Sequence, residues 1–113
     1  MAASKVLTMC QGGNSRSVGC AYLLKYEYGF DALACGWEKN SSETITMLCK
    51  WADWIMVMEP QFKDYVPVQY HGKIAVVDVG PDRWFNSLHP ELLDLCNKLL
   101  QQFLVAVPVE AKC

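Results

Sequence analysis

Positive charge is not concentrated anywhere in this sequence. Ten Lys and Arg stand against twelve Asp and Glu, a net charge of −2, with no block of one sign. The basic footprint that binds nucleic acid or an anionic membrane is therefore missing. Long apolar runs are missing too. The longest, residues 99–109, is interrupted by Gln101, Gln102 and Pro108 and is shorter than the roughly 20 residues a membrane-spanning helix needs. After Lys5 an apolar patch turns directly into glycines, too short for the apolar region of a signal peptide. Repeats and low-complexity segments are absent. Histidine is rare, with only His71 and His89, and the six cysteines include no C-x-x-C pair, so no metal site is expected. A disulfide framework belongs to small secreted chains with thin cores, and a chain that is 52% apolar is not one of these. The expected setting is the cytoplasm, and Cys20, Cys35, Cys49 and Cys96 are expected to be small buried hydrophobes.

What is present has the makeup of one folded domain, residues 1–113, with 19% charged residues. Residues 5–9 form a short apolar run that ends in a glycine-bearing loop, the pattern of a buried parallel strand. Over 17–28, Val18, Ala21, Tyr22, Leu24 and Tyr28 recur at helical spacing and Gly29 follows as a stop. A second strand is expected over 30–35. Asn40, Ser41 and Ser42 offer caps to a helix over 43–52 that carries Ile45, Leu48, Cys49 and Ala52 along one face. A strand over 54–58, a short turn or helix over 61–66, a fourth strand over 73–79 and a last helix over 90–103 complete the order. Alternating strands and helices imply an α/β fold: a single three-layer domain with a four-stranded parallel sheet and helices on both faces. Ligands of such sheets bind beyond the carboxyl ends of the strands. That edge gathers the loops starting at Cys10, around Trp37 and around Asp82.

The first of these loops carries chemistry. Cys10, Gln11, Gly12, Gly13, Asn14, Ser15, Arg16 and Ser17 place a cysteine, five residues and an arginine between the first strand and the first helix. Successive N–H groups in such an arc point inward and make a nest for a tetrahedral oxyanion, and the following helix adds unpaired amides and the positive end of its dipole. Gly12 and Gly13 allow the tight curvature. Arg16 can clamp two phosphate oxygens in a fork that a lysine cannot copy. The same field favours a thiolate at Cys10, since a free thiol titrates near about 8.5 and helix N-termini bring it well below. Ser17 can donate to the sulfur and ease its departure from a phosphoryl intermediate.

These residues resemble the signature Cys-x-Gly-Asn-x-x-Arg-Ser of the low-molecular-weight protein tyrosine phosphatase family, with Cys10, Gly12, Arg16 and Ser17 on matching positions. Ala34-Cys35-Gly36-Trp37 is similar to the family's loop after the second strand, whose aromatic residue walls the substrate slot. The stretch from Asp53 to Glu59 is similar to its third strand, and Ser42-Glu43-Thr44-Ile45 to the helix before it. The resemblance implies a low-molecular-weight phosphatase-like fold and a general acid from a loop after the fourth strand. Asp82-Arg83-Trp84-Phe85 is the nearest match, with Asp82 as the acid and Trp84 and Phe85 flanking the slot; Asp78 is the rival. It also implies that Gln11, Gly12, Gly13, Asn14 and Ser15 bind the phosphoryl group. Three departures stand out. Gly13 takes the family's asparagine position, Ser15 replaces its second loop cysteine, and Arg83 replaces the proline after the acid. The chain is shorter than typical members and resembles compact versions carried by bacteriophages.

The implied activity is hydrolysis of phosphotyrosine, on a phosphorylated protein, or of a small aryl phosphate, through a phosphocysteine. No metal or cofactor is needed, and phosphate-like oxyanions should inhibit. Two other readings stay open: a non-catalytic phosphate-binding module or cysteine phosphocarrier similar to the sugar-transport IIB proteins, and an arsenate reductase. Arg16 speaks against the carriers, which typically have no arginine six residues after the cysteine. The placing of Cys96 in the last helix, away from the Asp82 loop, speaks against a thiol relay.

Overall fold

The computed structural model describes residues 4–12, 16–80 and 88–105, the last three without their side chains. Strand β1 (Lys5–Cys10) is buried from Val6 to Cys10, because parallel strands pair on both sides of it. β2 (Asp31–Gly36) lies on one flank, and β3 (Trp54–Val57) then β4 (Ile74–Val76) on the other, giving the order β2-β1-β3-β4 with every pairing parallel. The chain steps outward from β1 to β2 and then crosses back to β3, so strand order reverses at β1. A crevice beyond the carboxyl ends of β1 and β3 follows from that reversal.

Helix α1 (Arg16–Tyr26) buries Gly19, Cys20, Ala21, Leu23 and Leu24. Three of these are small, which lets the helix lie close against β1 and β2. It stops as the glycine predicts: Gly29 has φ 77°, and the Phe30 N–H reaches back to the Leu24 carbonyl at 2.9 Å. α2 (Ser42–Trp51) is capped by Ser41, whose Oγ accepts from the Thr44 N–H at 3.2 Å. α3 (Pro90–Val105) packs against α1. Right-handed crossovers put α1 on one face of the sheet and α2 on the other. No helix among the described residues is long and apolar enough to cross a membrane.

The expected order of elements is present, with two corrections. The strand expected over 73–79 is only Ile74–Val76. Lys73 is outside it because its backbone closes a 3-10 turn, Val68–Lys73; its ammonium meanwhile caps α2, donating to the Cys49 and Ala52 carbonyls at 3.1 and 2.6 Å, where a cation also meets the negative end of the helix. Past Val76 one further bond, Val77 N–H to the Val57 carbonyl, reaches β3 before β3 ends. The single short element expected over 61–66 is two 3-10 turns, Pro60–Tyr65 and Val68–Lys73, separated by Val66 and Pro67.

Candidate active site

The site is built where β1 runs into α1. Cys10 is 1% exposed, and its Sγ lies 3.0 Å from the Ser17 Oγ in the first turn of α1. Ser17 is fixed there because the Thr8 hydroxyl donates to the Ser17 carbonyl at 2.7 Å, tying the helix start to the strand. The loop after β2 is laced to the same place. The Cys10 carbonyl accepts from the Trp37 N–H at 3.1 Å, the Gln11 carbonyl accepts from the Glu38 N–H at 3.0 Å, and the Gln11 side chain donates to Glu38 at 2.8 Å. Gly12 follows, half-buried.

Arg16 is wholly buried. Its Nη1 donates to Glu59 Oε2 at 2.7 Å and to the Gly80 carbonyl at 3.0 Å, and the guanidinium stands 5.6 Å from the Phe62 ring centroid. Its Nε and Nη2 are buried and have no hydrogen-bond partner among the described residues. Glu59 sits just past β3, and its other oxygen accepts from Gln61 at 2.8 Å. The hydrogen bond from Arg16 holds its carboxyl below the ordinary value of 4.5, with Gln61 helping and burial opposing. A lowered value in the folded state means that the pair stabilises the fold fully above the unfolded value and that this is lost as pH falls through the folded one. Acidifying below about pH 4.5 should therefore lower the Tm of the wild type more steeply than that of Glu59→Gln, measured by thermal melts across pH.

Aromatic rings wall one side. Trp37 stacks on Tyr65, centroids 4.0 Å apart and planes within 5°, and tilts against Phe62 at 5.9 Å. The Trp37 indole N–H is buried without a partner among the described residues.

Of the residues singled out in the sequence, Cys10, Gln11, Gly12, Arg16, Ser17 and Trp37 thus lie together at one sheet edge. Gly13, Asn14 and Ser15, and Asp82, Arg83, Trp84 and Phe85, lie outside the described residues. Asp78 is exposed, and its Oδ1 accepts from the Gly80 N–H at 2.9 Å, bracing a turn in which Gly80 has φ 89°. Cys20, Cys35, Cys49 and Cys96 are free and buried. Burial pushes the Cys35 thiol up to about 12 and that of Cys49 to about 11. Hydrogen bonding to Cys96 and burial push Cys20 up as well. Four residues escaped the sequence reading: Glu59, Gly80, Phe62 and Tyr65. A signal existed for Glu59, the carboxylate that directly follows the third strand and so falls at the edge where Arg16 needs a counter-charge.

No family model matches the sequence, and no curated protein matches it. Solved structures are similar. The Vibrio vulnificus protein Wzb, in complex with benzylphosphonate, has a TM-score of 0.73 at 16% identity over 93% of this chain and 99% of its own. A low-molecular-weight protein tyrosine phosphatase from Streptococcus pyogenes has 0.65 at 17% identity, covering 95% of each chain. The YwlE arginine phosphatase of Geobacillus stearothermophilus has 0.65 at 16% identity over 90% of this chain and 94% of its own. With its four parallel strands, and with β1 feeding a cysteine and a buried arginine into one edge, the chain has the fold of the low-molecular-weight protein tyrosine phosphatases.

Proposed function

We propose that this chain is a cysteine-dependent phosphatase that hydrolyses phosphotyrosine or another aryl phosphate monoester. The observation that carries the reading is the pairing of a sulfur at the end of the central strand with a fully buried guanidinium six residues on, two of whose nitrogens have no acceptor among the described residues. A cation withdrawn from water, with donors left over, fits an anion that completes its hydrogen bonding.

In the proposed reaction the Cys10 thiolate attacks phosphorus in line, an S–P bond forms, and the P–O bond to the phenol breaks. Arg16 and the loop amides hold the equatorial oxygens as charge builds on them. The leaving phenolate takes a proton from the general acid, Asp82. Water, deprotonated by the same carboxylate, then attacks phosphorus and returns the thiolate with Ser17 donating to the sulfur. Asp78 is the weaker candidate for the acid, because its carboxylate is engaged in the Gly80 turn. An aryl substrate suits the wall of Trp37, Phe62 and Tyr65, and the Vibrio vulnificus relative binds a ligand that joins an aryl ring to a phosphonate. The arginine phosphatase among the relatives shows that the scaffold alone does not choose the substrate. Whether the aryl group is on a protein or a small molecule is a matter of the rim. A thiol nucleophile suits a reducing compartment, which supports a cytoplasmic setting.

Steady-state hydrolysis of a generic aryl phosphate tests the reading. The wild type should turn over, and Asp82→Asn should lose on the order of 100-fold in kcat, the usual weight of a positioned acid. Asp78→Asn should stay within a few-fold of wild type. The reverse order would transfer the acid role to Asp78. Phosphate binding without turnover in the wild type would favour the carrier or binding-module reading.

A further inference from the structure

Trp37 is tied to the reacting end of the sheet through its backbone, whose N–H donates to the Cys10 carbonyl at 3.1 Å. Its indole N–H has no acceptor among the described residues, so no hydrogen bond there sets the angle of the ring. Packing sets it. Tyr65 lies on one indole face, centroids 4.0 Å apart and planes 5° from parallel, and Phe62 meets the indole at a tilt of 59°.

Both rings come from one 3-10 turn, Pro60–Tyr65, in which residues three apart lie one above the other. The turn is pinned by the Phe62 N–H on the Glu59 carbonyl at 3.1 Å and by the Val66 N–H on the Lys63 carbonyl at 3.0 Å. The two rings differ in their surroundings. Phe62 is buried and also stands beside the Arg16 guanidinium. Tyr65 is 44% exposed, too open for a core residue, and what it contributes is the face it lays on Trp37. We propose that Tyr65 is a specificity-determining positioning residue, which holds the Trp37 indole in one orientation beside Cys10 and Arg16 and so makes the site favour a phosphoryl group carried on an aromatic ring. The inference rests on the phosphatase reading and deepens it. A wall ordered in advance loses no rotamer freedom when a ring docks on it, and an alkyl group offers that wall no aromatic partner.

Benzylphosphonate and methylphosphonate test this, because they present the same anionic group and differ by a ring. By calorimetry the wild type should bind benzylphosphonate the more tightly, and equal affinities would overturn the proposal before any variant is made. Tyr65→Leu keeps apolar bulk but removes the flat face. Its ratio of benzylphosphonate to methylphosphonate affinity should fall roughly three- to tenfold, the scale of one aromatic pair. Tyr65→Phe keeps the ring and should restore the ratio. An unchanged ratio in Tyr65→Leu would reduce Tyr65 to surface packing, and a raised one would mean that its ring sits where the ligand's should; either result overturns the proposal. In a Trp37→Leu background Tyr65→Leu should change the ratio no further, since Tyr65 acts through Trp37. A further fall there would mean that Tyr65 touches the ligand itself, which also ends the positioning role. A thermal melt accompanies each variant. Failure of the wild type to hydrolyse an aryl phosphate would sink the phosphatase reading, whereas the phosphonate ratios need no turnover and decide this proposal by themselves.

Discussion

Replacing Cys10 by serine removes turnover, by on the order of 10⁴-fold or more in kcat, while inorganic phosphate still binds. The substitution changes one atom in a residue that is 1% exposed, so the packing at the end of β1 is nearly conserved. What changes is the nucleophile. A thiol ionises near neutral pH far more readily than a serine hydroxyl does. The loop amides and Arg16 do not depend on the sulfur, so competition by phosphate, or calorimetry, should give an affinity within a few-fold of wild type. Turnover that survives in Cys10→Ser would mean that the sulfur forms no bond to phosphorus.

The second large effect belongs to Arg16→Lys. Charge is kept, yet kcat/KM should drop on the order of 10³-fold, the scale on which a lost oxyanion donor registers. A lysine offers one ammonium in place of a planar fork. In this site that ammonium would have to choose between the acceptors Arg16 now satisfies, Glu59 and the Gly80 carbonyl, and the substrate. We expect it to side with Glu59, 2.7 Å from Nη1 today, leaving the phosphoryl group without its clamp. Both KM and the inhibition constant for phosphate should rise together. A fall in kcat with phosphate affinity intact would argue that Arg16 serves only the chemical step.

Much of the architecture is legible from local pattern alone. The runs at 5–9 and 54–58, the helical spacing after Ser17 and the stop at Gly29 are properties of neighbouring residues, and β1, β3 and α1 fall within two residues of them. The meeting of Cys10, Arg16 and Ser17 where β1 runs into α1 is legible for the same reason: the three lie within eight consecutive positions. The fourth strand is shorter than its apolar pattern, and nothing in 73–79 reveals that Lys73 closes a 3-10 turn or that β3 stops at Val57. Glu59 was hidden by its neighbour, since Glu59-Pro60 reads as punctuation after a strand. Its tie to Arg16 spans 43 positions and exists only once β3 lies beside β1. Phe62 and Tyr65 read as residues of a short turn, and only the fold turns them toward Trp37.

That long reach has a consequence for how the protein fails. The second acceptor of Arg16, Gly80, is 64 positions away and hangs from a three-residue strand at the border of the sheet. Short segments at the border of a sheet open at lower cost than its centre. Mild heat or denaturant should thus free the Gly80 carbonyl from the arginine while β1 and α1 still pack together, and the helical signal should outlast the clamp.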